Sequence, residues 1–178
     1  DDIESQAWQI NQALKEVLLI ISDQISDVIP VHSFGSKKRL ENDDILSVFN
    51  RLFQIQNIDL NCRANKYTLL TYACQTGQID LVTMLIKSGK VNVNSYAPTN
   101  GNTPLKIAIQ NDHIDIAKLL IELPSTDINL RNYNRQTALT IAVEKDKPDI
   151  VCLIVNNKKF DPEESLLDYA FFKSGGKI

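Results

Sequence analysis

Thr103-Pro104-Leu105-Lys106-Ile107-Ala108 decides the fold, because the chain carries it twice more in looser form. The other copies are Thr68-Leu69-Leu70-Thr71-Tyr72-Ala73 and Thr137-Ala138-Leu139-Thr140-Ile141-Ala142, so the closing alanines lie 35 and 34 residues apart. A fixed period of this size marks a stack of small units, none of which can bury its apolar face alone. The order around each copy also recurs. Before it comes an Asp/Asn-apolar-Asn triplet (Asp59-Leu60-Asn61, Asn92-Val93-Asn94, Asp127-Ile128-Asn129, with Asp161 a weaker fourth) and a polar hairpin. After it come a polar turn at Gly77, Asp112 and Asp146 and a second run of paired aliphatics.

Each copy reads as a short helix opened by a threonine, whose side-chain oxygen can take up free backbone donors at the helix start. The run that follows reads as a second helix. Its apolar stripe is expected at Ile79, Val82, Leu85 and Ile86, then at Ile114, Ala117, Leu120 and Ile121, then at Val151, Ile154 and Val155. The small residues Ala73, Ala108 and Ala142 let the first helices of adjacent units approach closely. An all-α repeat fold follows, a solenoid of stacked helix-turn-helix units with β-hairpin fingers.

This pattern resembles the ankyrin repeat over residues 42–178, through the Thr-Pro-Leu string, the helix-opening alanine, the turn and the Asp-apolar-Asn triplet. Lys106 stands where that family carries histidine, and the other two copies lack both the proline and the histidine. The stretch 44–57, with Val48, Phe49, Leu52 and Phe53, reads as the second helix of a degenerate first unit. Ser165-Leu166-Leu167-Asp168-Tyr169-Ala170 reads as a C-terminal cap with its hairpin cut out.

Residues 1–30 are a separate amphipathic segment, in which Ile3, Ala7, Ile10, Leu14, Val17, Ile21 and Val28 predict one long helix that ends at Pro30. Two readings stand for it: it docks on the uncovered face of the first unit, or it is a dimerisation element that pairs with another chain. Residues 31–41 form a linker carrying the basic cluster Lys37-Lys38-Arg39.

The hydrophobic content of 43% suits one elongated core, and no apolar run is long enough to span a bilayer, so no membrane insertion is expected. A net charge of −3 argues against a broad grip on nucleic acid. With three cysteines and two histidines, neither zinc-ligand spacing nor a disulfide framework is available, and no phosphate-binding or hydrolase motif occurs. No metal, no cofactor and no catalytic residue is therefore expected, and the cysteines suit a reducing cytoplasm and small apolar packing. Beginning at Asp1, the chain is expected to be a piece of a longer protein.

Surface recognition is what remains, and the resemblance implies that it uses the concave face made by fingers and first-helix ends. Five, seven and six residues separate Cys62 from Thr68, Ser95 from Thr103 and Leu130 from Thr137, so the fingers differ in reach. The positions left over for a partner are Asn65, Lys66, Tyr67, Tyr96, Thr99, Asn102, Tyr133, Asn134, Arg135 and Gln136 on fingers. At first-helix ends they are Gln75, Thr76, Gln110, Asn111, Glu144 and Lys145. Tyrosine and arginine often carry interface energy, so a protein partner is expected there. A scaffold or adaptor module is one reading. The other is the targeting arm of a larger enzyme or secreted effector, which would act in a host cytosol.

Overall fold

A computed structural model describes residues 59–64 and 67–162. The expected N-terminal helix, the linker, the degenerate unit at 44–57, the finger positions Asn65 and Lys66 and the cap at 165–170 lie outside the described residues. Among the described residues, a hairpin of β1 (Arg63–Ala64) and β2 (Tyr67–Thr68) is followed by α1 (Leu69–Thr76) and α2 (Ile79–Lys87). Then come α3 (Pro104–Gln110), α4 (Ile114–Glu122), α5 (Ala138–Glu144) and α6 (Pro148–Val155). The strands are antiparallel, with Arg63 opposite Thr68 and Ala64 opposite Tyr67. First helices α1, α3 and α5 stack in one layer and second helices α2, α4 and α6 in another, which is the all-α repeat expected from the period.

Helices of seven to nine residues are marginal alone, so their ends and their neighbours must hold them. Thr68 caps α1 through a reciprocal pair: its Oγ1 accepts from Thr71 N (3.2 Å), and Thr68 N donates to Thr71 Oγ1 (2.7 Å). Thr137 caps α5 by accepting from Thr140 N at 3.3 Å. Thr103, expected to do the same, makes no side-chain cap; Pro104 instead fixes the first helical φ. The turn position is left-handed in all three units, with φ of 76° at Gly77, 65° at Asp112 and 53° at Asp146. Ala73, Ala108 and Ala142 have no exposed surface, which is the close first-helix approach their size permits.

Most of the expected second-helix stripe is buried, at Val82, Leu85, Ala117, Leu120, Ile121 and Ile154, but the buried face also extends beyond it. Leu81, Ile116 and Ile150 are fully buried, whereas Ile79 is 40% and Val155 48% exposed. Each second helix packs both on its own partner helix and on its neighbours in the stack, so its buried arc is wider than a single stripe and takes in Leu81, Ile116 and Ile150. Cys62 and Cys74 are buried, but Cys152 is exposed, because the buried face of α6 runs through Ile150 and Ile154.

The Asp/Asn-apolar-Asn triplets are the joints between units. Within each, the first side chain accepts from the third residue's N–H: Asn61 N to Asp59 (2.9 Å), Asn94 N to Asn92 (3.0 Å), Asn129 N to Asp127 (3.0 Å). The third residue then clasps the next unit with both ends of its amide. Asn61 donates to Lys90 O and accepts from Asn92 N, and Asn94 donates to Ser125 O and accepts from Asp127 N. Asn129 likewise donates to Lys159 O and accepts from Asp161 N. Lys159 closes the C-terminal end of α4, its Nζ donating to Leu123 O (2.7 Å) and Thr126 O (2.8 Å), a cation at the negative end of a helix.

Candidate functional site

The fingers project from the first-helix layer, and their exposed tips are aromatic. Tyr96 is 50% and Tyr133 61% exposed, and their rings meet edge to face with centroids 6.5 Å apart. The Arg63 guanidinium lies 5.2 Å from the Tyr96 ring centroid. Arg63, Tyr96 and Tyr133 thus form a file across three successive fingers. Backbone locks it in place: Tyr133 N donates to Asn100 O (3.0 Å), Ala97 N to Asn102 O (2.9 Å) and Arg135 N to Asn132 O (2.9 Å). Gly101 has φ 71°, and a Cβ there would come within 2.7 Å of the Tyr133 ring, so the glycine supplies both the turn and the space for the tyrosine.

Beneath the tips runs a chain of amides. Asn102 Nδ2 donates to Gln110 Oε1 (2.8 Å), Asn132 Nδ2 donates to Asn102 Oδ1 (2.8 Å) and Gln136 Oε1 (3.0 Å), and Gln136 Nε2 donates to both carboxylate oxygens of Glu144 (2.8 and 2.9 Å). Gln75 Nε2 joins the first two units by donating to Asn111 Oδ1 at 2.8 Å. His113 Nε2 donates to Gln75 O (3.2 Å) with its ring against Gly77.

The positions left over in the sequence therefore divide. Asn102, at 1% exposed, is part of the fold rather than of the surface. Tyr67 is half-buried against the core; Gln75, Thr76, Gln110, Asn111 and Gln136 are half-buried, and each has a hydrogen-bond partner within the stack. Tyr96, Thr99, Tyr133, Asn134, Arg135, Glu144 and Lys145 are exposed. Arg63 and Arg131, also exposed, were missed by sequence reasoning. A signal for them existed: Arg63, Tyr96 and Arg131 each follow the residue that opens a finger, Cys62, Ser95 or Leu130.

Lys106 departs most from its surroundings. Its side chain is 1% exposed, and Nζ donates to Leu130 O (2.9 Å) and Gln136 O (3.4 Å), tying α3 to the base of the third finger. Loss of water around the ammonium brings its pKa down to about 8, with the Asp127 carboxylate pulling weakly the other way. Burial pushes the Cys74 thiol up, which leaves it inert as a nucleophile at neutral pH. Among the described residues, no group of three His, Cys, Asp or Glu side chains could hold a metal ion, and no helix is long and apolar enough to cross a membrane.

A family model for ankyrin repeats in three copies matches residues 40–132. The human transient receptor potential cation channel subfamily A member 1 is 29% identical over 92 residues, which is 52% of this chain and 8% of that protein. Alpha-latroinsectotoxin-Lt1a of Latrodectus tredecimguttatus is 30% identical over 102 residues, 57% of this chain and 7% of the toxin. The chain thus spans under a tenth of the length of these relatives. A solved chain from a complex of a predatory endopeptidase of Bdellovibrio bacteriovorus with an immunity protein superposes with a TM-score of 0.54 at 28% identity, covering 64% of this chain and 58% of that one.

Proposed function

This chain belongs to the ankyrin repeat family, and we propose that it is a protein-interaction module taking a peptide or folded partner on its fingers and first-helix ends. Ankyrin repeats generally serve as protein-binding units and are typically non-catalytic, and the solved relative comes from a complex of two proteins. The observation that carries the choice of face is the pair of exposed, mutually packed rings of Tyr96 and Tyr133. The stack does not need these rings for its core, yet backbone bonds hold them in a fixed place. Rigid tyrosines give large contact area at low entropic cost on binding.

The test compares proteins captured by residues 1–178 with those captured by the Tyr96→Ala/Tyr133→Ala double variant. A partner of this face should bind the double variant about thirtyfold more weakly, a loss on the order of 2 kcal/mol. Lys87→Ala/Lys118→Ala, on second helices α2 and α4, should bind it normally. A partner that ignores both tyrosines and responds to the lysine pair would move binding to the second-helix layer.

A further inference from the structure

We propose that the partner segment received by the Arg63, Tyr96 and Tyr133 file is acidic, an extended peptide rich in Asp and Glu; this rests on the finger face being the binding face. The three fingers, 62–68, 95–103 and 130–137, contain Arg63, Lys66, Arg131 and Arg135 and no carboxylate, in a chain whose net charge is −3. The carboxylates of the described residues lie elsewhere. Asp80, Asp115 and Asp149 occupy the first turns of α2, α4 and α6, and Asp59, Asp127 and Asp161 sit in the loops between units. Asp112 and Asp146 hold the turns between paired helices, Glu122 ends α4, and Glu144, at the end of α5, reaches the third finger, where the Gln136 amide takes both its oxygens.

Charge is therefore segregated along the sequence of the fingers, and Arg63 lies directly over the exposed Tyr96 ring. Arg63 and Arg131 hold the same place on their fingers as Tyr96 does on the finger between them, so guanidinium, ring and guanidinium alternate from unit to unit. An arginine over a ring keeps edge donors for a carboxylate, and a phenol hydroxyl adds another. An extended peptide that crosses the fingers would meet a cation, an aromatic and a cation in turn. A single-stranded nucleic acid fits less well. The rings stand at 67° to one another, not parallel as successive stacked bases require.

The experiment selects binders to the full chain from a random peptide library on phage, then measures synthetic copies of the selected peptides by fluorescence anisotropy. Enrichment of Asp and Glu over Lys and Arg is the expected result. Affinity should weaken by about tenfold for Arg63→Gln/Arg131→Gln and again in high salt, while Lys87→Gln/Lys118→Gln changes it little. Circular dichroism of each variant checks that it folds. Charge reversal at the same two arginines to Glu should turn the selected pool basic, a gain that misfolding cannot mimic. Selected peptides that need Tyr96 and Tyr133 but are neutral or basic would overturn the acidic partner and leave the finger face standing. Peptides indifferent to both tyrosines, or no enriched peptide at all, would overturn both. Tighter binding of a single-stranded oligonucleotide than of any selected peptide would replace the acidic peptide by a nucleic acid.

Discussion

Replacing Lys106 with methionine should remove a pH dependence of stability that the wild-type protein carries. The buried ammonium loses its proton at about 8 in the folded protein against 10.5 in the ordinary, solvated state. Between those values the unfolded chain binds more protons than the folded one, so stability attributable to Lys106 rises as pH rises. Integrating that difference from about pH 7 to about pH 9 gives roughly 1 kcal/mol. At pH 7 two opposed effects partly offset one another. The lowered pKa corresponds to a cost of about 3 kcal/mol for holding the charged form in the fold. The two bonds from Nζ to Leu130 O and Gln136 O return about 1.5 to 3 kcal/mol each where the donor is charged. Methionine removes both effects, so the pH slope is the informative readout. Urea unfolding of the two proteins, followed by circular dichroism across this range, should show the wild type gaining on Lys106→Met as pH rises. The Cys74 thiol, whose pKa burial raises, lowers stability at the alkaline end in both proteins and cancels in the difference. Parallel stability curves would refute the reasoning: the amine would then be solvated, and its bonds to the third finger would not be those described.

Ala108→Leu should force α3 away from α1 and α5, costing about 1 to 3 kcal/mol by overpacking, and an unchanged urea midpoint would remove Ala108 from the helix contact. Asp146→Gly should relieve a left-handed backbone at φ 53° and raise stability by about 0.5 kcal/mol after glycine's entropic cost, seen as a small rise in Tm; a fall would mean that the aspartate side chain supports the turn.

Much of this architecture is legible in the one-dimensional pattern because a repeat writes each structural requirement several times. Ala73, Ala108 and Ala142 could be identified as the contact between first helices since any larger residue at that recurring place would part the stack, and all three are fully buried. The turn at Gly77, Asp112 and Asp146 was legible by position alone, and the structure makes it left-handed in all three units. The triplets were visible as markers, although their work as clasps was not, because an asparagine's partners lie about thirty residues on, in the next unit.

Periodicity says which residues are equivalent, not which ones touch, and the remaining features belong to touching. The arc buried on a second helix depends on neighbours from two units, which is why Leu81 lies inside and Ile79 outside. The amide chain from Gln110 to Glu144 assembles only when two fingers come side by side, and it drew Asn102 from the expected surface into the interior. Lys106 reads in the sequence as a mismatch with a family position; burial against the third finger makes it a strut with a lowered pKa. The file of Arg63, Tyr96 and Tyr133 likewise draws one side chain from each of three units. The sequence alone determines the period, the helix pairs and the small residues between them, since those are local or repeated constraints. Only stacking decides which polar side chains are spent holding units together and which are left at the fingertips, since that depends on distances between residues far apart along the chain.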